Sequence, residues 1–289
     1  MLILIGEINV TKLTLEYIVN KVEDMKVLPE IINKIIVLTD DPDSTVHDME
    51  EVILQDQVLT TKILRLANSA YYGYARKIST ISQATVLLGF QAIKGIALAS
   101  TVRTYLTNEL RGYSLEKNEL WSQSQTCAIV SRFIAKSIKY YNPEEAYIAG
   151  LLRDIGKTIL NQHMEKEYME VLLKMEKDNI SFLDAEKEVL GFGHAEIGEK
   201  IAEKWNLPKD LVEAIGYHHT PELAIINPLL VSIVHIADAI TMMMGVGLGL
   251  DGLSYSLSPI AIDNLNLDEL QFQTIISQVS DLIKDEDSF

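Results

Sequence analysis

The sequence predicts an all-α protein, and three observations carry that prediction. Apolar residues recur three and four positions apart nearly everywhere, no stretch keeps up a two-residue alternation, and capping residues, Pro and Gly fall where the periodic runs start and stop. A chain of 289 residues with 48% hydrophobic side chains buries a substantial core, as one large domain or two intimately packed ones.

In the first run Leu13, Tyr17, Ile18, Val22 and Met25 line one side of a helix, and Leu28-Pro29 closes it and opens the next. The second runs through Ile31, Ile32, Ile35 and Leu38 to the break at Asp40-Asp41-Pro42. Thr45 with Asp48 three residues on predicts a reciprocal cap for a third helix holding Met49, Val52 and Ile53. Asp56 caps a fourth, whose stripe is Val58, Leu59, Ile63, Leu64 and Ala67, ending at Asn68-Ser69. After a tyrosine-rich connector, Ser79, Thr80 and Ser82 precede a short helix that Gly89 terminates, and Gln91 to Leu106 is rich in Ala and Ile, as a deeply packed helix would be. Beyond Asn108 to Leu115 the pattern predicts helices at Glu116 to Ser137, Pro143 to His163, Lys166 to Lys177 and Ser181 to Leu190. The turn Gly191-Phe192-Gly193 leads into a helix from His194 to Trp205, another starts at Leu207-Pro208 and ends at His218-His219, and Pro228 opens the one bearing His235 and Asp238. A final helix spans about Asn266 to Lys284. These breaks divide the chain into an N-terminal helical subdomain, 1–112, a second helical subdomain, 113–250, and a C-terminal loop and helix, 251–289.

The net charge of −16 disfavours broad binding to nucleic acid or to an anionic membrane, because phosphate is held by Lys and Arg. From Thr60 to Arg111, however, seven Lys and Arg stand against the single acid Glu109. Lys62, Arg65, Tyr71, Tyr72, Arg76 and Lys77 are therefore candidates for a patch that meets an acidic partner or stacks a nucleotide. The plainer alternative is a helical segment with basic polar positions and tyrosines packed under a loop. Cys127 is the only cysteine, which excludes an internal disulfide and fits a reducing compartment. Met1 to Ile5 is too short and lacks the basic start of a signal peptide, and Val231 to Val246 contains His235 and Asp238. The expectation is a cytoplasmic protein with no membrane partner.

The chemistry gathers around Glu145 to Lys157, an apolar helical run interrupted by Arg153-Asp154. Four of the six histidines lie between His194 and His235, and His235 and Asp238 share one helix face. With Asp154 and His218-His219 they supply imidazole and carboxylate, which suit zinc, iron or manganese. Spacing alone leaves open the alternative that each histidine is a hydrogen-bonded core or surface residue.

Ala149-Gly150-Leu151-Leu152-x-Asp154-Ile155-Gly156-Lys157 resembles the signature of the HD superfamily of metal-dependent phosphohydrolases. Gly193-His194, His218-His219-x-Pro221 and His235-x-x-Asp238 are similar to its downstream elements. Upstream, Gln55 to Leu59, Arg65-Leu66-Ala67-Asn68-Ser69-Ala70, Ile78 to Ile81 and Ala84 to Gly89 resemble the HDOD domain, the HD-related branch of bacterial signalling proteins. The resemblance covers roughly Val22 to Gly245 and implies an HD-like helical bundle with a packed N-terminal helical subdomain. It also implies where the ligands should stand and where they are missing. The first ligand histidine corresponds to Gln123, and the His of the His-Asp doublet is Arg153, which has no lone pair to offer. The resemblance therefore implies a degenerate site at Gln123, Arg153, Asp154, His194, His218, His219 and Asp238, in which Arg153 replaces the metal as counter-charge to Asp154 or Asp238. No cofactor is expected, a residual Zn, Fe or Mn site being the alternative. The implied function is noncatalytic signal transduction through a protein partner or a nucleotide. The alternative is a metal-dependent phosphohydrolase of nucleotide phosphoesters such as cyclic dinucleotides, with Glu196 as a conceivable base.

Overall fold

The computed structural model describes residues 14–68, 77–163, 167–250 and 256–284. Within them the chain is helical with no strand, so the all-α expectation holds. The N-terminal helices are α1 (Leu15–Asp24), α2 (Glu30–Asp40), α3 (Val46–Leu54), α4 (Gln57–Ala67), α5 (Ile81–Leu88) and α6 (Phe90–Leu106). The predicted caps are present. Thr45 and Asp48 close a reciprocal capping box on α3, and the Asp56 side chain accepts from the Val58 and Leu59 amides at the start of α4. Gly89, at φ 83°, is both the end of α5 and the residue before α6, a backbone setting that residues with a Cβ rarely adopt. Val58, placed by its spacing on an apolar stripe, is exposed, as are Val86 and Leu87 of α5, because α4 and α5 bury only the opposite face against α3 and α6.

A 3₁₀ turn at Arg111–Tyr113 leads to α7 (Glu119–Ser137), α8 (Pro143–Leu152), α9 (Gly156–His163), α10 (Glu167–Asp178) and α11 (Phe182–Leu190). Then follow α12 (His194–Lys204), α13 (Lys209–Tyr217), α14 (Pro228–Met243), α15 (Pro259–Leu265) and α16 (Glu269–Lys284). Two expectations are corrected. The single helix from Pro143 to His163 is broken at Arg153-Asp154-Ile155, where three-residue turns replace the helical ladder. The last segment holds two helices, with Asn266 in the left-handed conformation ending α15 and not opening α16.

The centre is a packed group of α7, α8 and α14, with α13 laid against α8 and α14, α12 packed on α9 and α13, and α1 packed on α9 and α12. From Leu230 to Met242 every residue of α14 is buried, which explains its near-continuous hydrophobicity. No single helix among the described residues is long and apolar enough to cross a membrane.

Candidate functional site

The break between α8 and α9 places Arg153 and Asp154 in the interior, and a close helix approach sets what they face. A Cβ on Gly156 would lie 2.0 Å from the His194 carbonyl oxygen, and one on Gly198 would lie 2.8 Å from an Ile215 methyl. Glycine at both positions lets α9, α12 and α13 meet, which brings His194 at the start of α12 and His218-His219 at the end of α13 up to Asp154.

Asp154 has two different sides. Its Oδ2 faces cations, Arg153 Nη2 at 3.2 Å and Lys157 Nζ at 3.0 Å. Its Oδ1 faces imidazoles, His194 Nε2 at 3.2 Å and His218 Nε2 at 3.7 Å. Arg153 is fully buried; its Nε donates to Asp238 Oδ1 at 2.5 Å and its Nη1 to the Gly150 carbonyl. Burial alone would raise the Asp154 carboxyl. The charges of Arg153 and Lys157, with the neighbouring His194 ring, outweigh it and hold this group well below the ordinary carboxylate range.

The histidines are oriented from behind. His194 Nδ1 lies 3.0 Å from Glu186 Oε2, which also accepts from the His194 amide, while Tyr113 donates its hydroxyl to the other Glu186 oxygen. His218 Nδ1 donates to the Ile215 carbonyl, leaving its Nε2 lone pair aimed at Asp154. His219 Nε2 is 3.0 Å from His194 Nε2, so one of these two nitrogens carries a proton. Burial works against the protonated form of His194, the Glu186 charge and the Asp154 bond outweigh it, and the pKa rises to about 9. His219 is pushed well below its usual value by burial and by its two histidine neighbours. The buried cations Arg153, Lys157 and protonated His194 thus balance the anions Asp154, Asp238 and Glu186.

Asp154, His194, His218 and His219 each offer one ligand atom, and these atoms lie within 4.8 Å of one another. Asp154 Oδ1 and His218 Nε2 are buried without a well-aligned hydrogen-bond partner. Three imidazole nitrogens, two of them with the rear hydrogen bond that fixes a ligating tautomer, and one carboxylate oxygen fit a single zinc, iron or manganese ion. A second ion on the other side of Asp154 does not fit, because the guanidinium already holds Asp238 there.

Of the other expected residues, Gln123 is buried and donates to the Gly247 carbonyl, away from any ligand role. His235 is structural. Its Nδ1 bonds the His218 carbonyl and its Nε2 accepts from the Ser258 amide. Glu196 accepts from the Gly193 amide as a helix-start acid. Within the basic segment Lys62 bonds the Ser100 carbonyl, Lys94 pairs with Asp40, Arg103 lies over Trp121 and Arg111 pairs with Glu109. Arg65 and Lys77 are exposed, and Tyr71, Tyr72 and Arg76 lie outside the described residues. Lys157, Glu186 and Tyr113 complete the site and were missing from the expected set.

The fold and the cluster define the class, a helical HD-type protein with a one-sided ligand set. A family model for the HDOD domain matches residues 25–221, and the chain belongs to that family. An HDOD domain protein of unknown function from Geobacter sulfurreducens has a similar crystal structure, with a TM-score of 0.75 and 25% identity over 93% of this chain and 95% of that one. A provisionally assigned phosphohydrolase from Shewanella amazonensis gives a TM-score of 0.64 and 26% identity, covering 91% of this chain and 97% of that one. An uncharacterized protein of Treponema pallidum is 26% identical over 212 residues, 70% of this chain; the chain spans 39% of that relative's length.

Proposed function

We propose that this chain is a noncatalytic bacterial signal-transduction module that acts by binding a protein partner or a small ligand. The observation that carries the reading is the Arg153 guanidinium bound between Asp154 and Asp238. It supplies fixed positive charge where a hydrolytic centre needs an exchangeable ion, and two-metal phosphoester chemistry needs an ion on each side of the bridging carboxylate. Charge balance supports the same reading. A divalent ion that displaced the His194 proton would leave one surplus positive charge in a buried centre. Burial supports it too: Arg153, Asp154, His194 and His218 are at most 1% exposed, and of the four ligand residues only His219 is partly accessible.

A second reading, metal-dependent hydrolysis of nucleotide phosphoesters such as cyclic dinucleotides, is favoured by the four converging ligand atoms. Asp154, His194, His218 and His219 would hold the ion, which supplies Lewis acidity and a water acidified for attack on phosphorus. Glu186 would keep the His194 ring in its ligating tautomer, and Lys157 would hold the second Asp154 oxygen. The test is turnover of cyclic dinucleotides and of a nitrophenyl phosphodiester with Mn²⁺, Fe²⁺ or Zn²⁺ added. The noncatalytic reading expects rates no higher than those of Asp154→Ala. Turnover that disappears in Asp154→Ala overturns it.

A further inference from the structure

A second feature lies on the outer flank of α12 and α13, away from the buried cluster. A groove of about 660 Å³ runs between these helices and the segment 220–227, floored by Leu207, Val212 and Tyr217. Its outer wall is Leu223, Ile225 and Ile226, exposed by 54%, 87% and 55%. Single exposed apolar residues are ordinary, but three within four positions beside an apolar floor form a patch.

This wall is held from inside. Glu213, itself 5% exposed, accepts from the amides of Ile225, Ile226 and Asn227 at 2.6, 2.7 and 2.7 Å. Asn227 donates to Tyr140 and Asp210 and caps α14 with its Oδ1, and Pro221 and Pro228 stiffen both ends. Three charge-assisted bonds to one buried carboxylate fix a loop whose Leu223, Ile225 and Ile226 side chains stay outside. Such a loop has already lost the backbone entropy that docking would otherwise cost it.

The lining is net acidic, with Glu199, Glu203 and Glu213 against the single cation Lys209. Glu199 lies across Gly216, where a Cβ would come within 3.2 Å of it, and forms no ion pair among the described residues. Burial raises its carboxyl; Lys200 offsets part of this, and Glu203 and Glu196 add like charge. Glu203, also at the groove, is paired with Lys200. The whole chain, at −16, adds a long-range attraction for cations.

We infer that this groove is the docking site for a basic amphipathic helix of a partner protein, its apolar side chains seated against Val212, Tyr217 and Ile225 and a Lys or Arg meeting Glu199. A helix fits because the groove is bounded by two helices, and no strand among the described residues offers an edge for strand addition. The site stands on its own observations, and binding there is independent of whether the buried cluster turns over a phosphoester.

The test uses the full chain and a labelled model peptide of about 18 residues, with Leu at i, i+3, i+4 and i+7 and Lys elsewhere, followed by fluorescence anisotropy. Saturable binding is expected, weakened about tenfold or more in Ile225→Asp/Ile226→Asp and in Glu199→Lys. It should be unchanged in Val86→Asp, an equally exposed apolar position on α5. All three variants change surface residues, and circular dichroism verifies that they fold. Equal binding by every variant, or equal binding of a Leu/Glu peptide, would mean attraction to overall charge or stickiness and overturns the assignment. No binding of the Leu/Lys peptide overturns it as well. So does a wild-type dimer that Ile225→Asp/Ile226→Asp converts to monomer, since the groove would then belong to a second copy of the chain.

Discussion

Arg153 carries much of the charge balance of the buried centre, bound between Asp154 and Asp238. Removing it leaves Asp154 and Asp238 buried with less compensation, so Arg153→Met is expected to lose about 3–5 kcal/mol in denaturant unfolding. The double variant Arg153→Met/Asp238→Leu should lose less than the single one, because the stranded charge goes with it. His194 gives a pH signature of the opposite kind to a carboxylate. Its folded pKa, about 9, lies above the 6.5 of a free imidazole, so its stabilisation is complete below about 6.5 and is lost as pH rises through 9. With chelator present, the melting temperature should fall across that window, and His194→Gln should flatten the profile. The converging quartet of Asp154, His194, His218 and His219 was legible because motif and spacing name them. Glu186 was not, since it sits among Asp184, Lys187 and Glu188 on a helix whose polar residues all look solvated, and only the fold turns it onto His194.

At the scale of elements, the break between α8 and α9 is the decisive local event. The apolar run through it looks like continuous helix, because nothing in Leu152 to Gly156 forbids one. The break arises from tertiary demand, since the charges of Arg153 and Asp154 have partners only if the chain turns there. Gly156 is the one visible trace, and its reason is the 2.0 Å approach of the His194 carbonyl to where a Cβ would stand. Gly156→Ala is expected to destabilise by about 1–3 kcal/mol through overpacking, and to raise hydrogen exchange at the start of α12. The capped helices α3 and α4 were legible to the residue, since their caps are local chemistry. The short α15 was not, because seven residues are too few for a periodic pattern to stand out.

For the whole molecule, the family match at 25–221 stops before α14, yet α14 packs on α7, α8 and α13 and supplies Asp238 to Arg153. A chain ending at residue 221 should therefore expose the faces that α14 covers and leave Arg153 half paired. It is expected to show no cooperative thermal transition, while the full chain shows one. Charge was legible as a total and misleading in detail. The basic run from Thr60 to Arg111 suggests one surface, but Lys62, Lys94, Arg103 and Arg111 turn to partners within the chain, and sequence order carries no information about which way each points.

The nine residues of α13 have one further consequence. At 1.5 Å per residue the helix is only about 14 Å long, short enough to tilt as a rigid rod. The groove lines its flank, and the His218-His219 pair hangs from its end directly after Tyr217. Occupation of the groove is therefore expected to reach the two imidazoles. Their ring proton and nitrogen resonances should shift when the Leu/Lys peptide saturates the groove, while those of His47, on the far helix α3, should stay where they are.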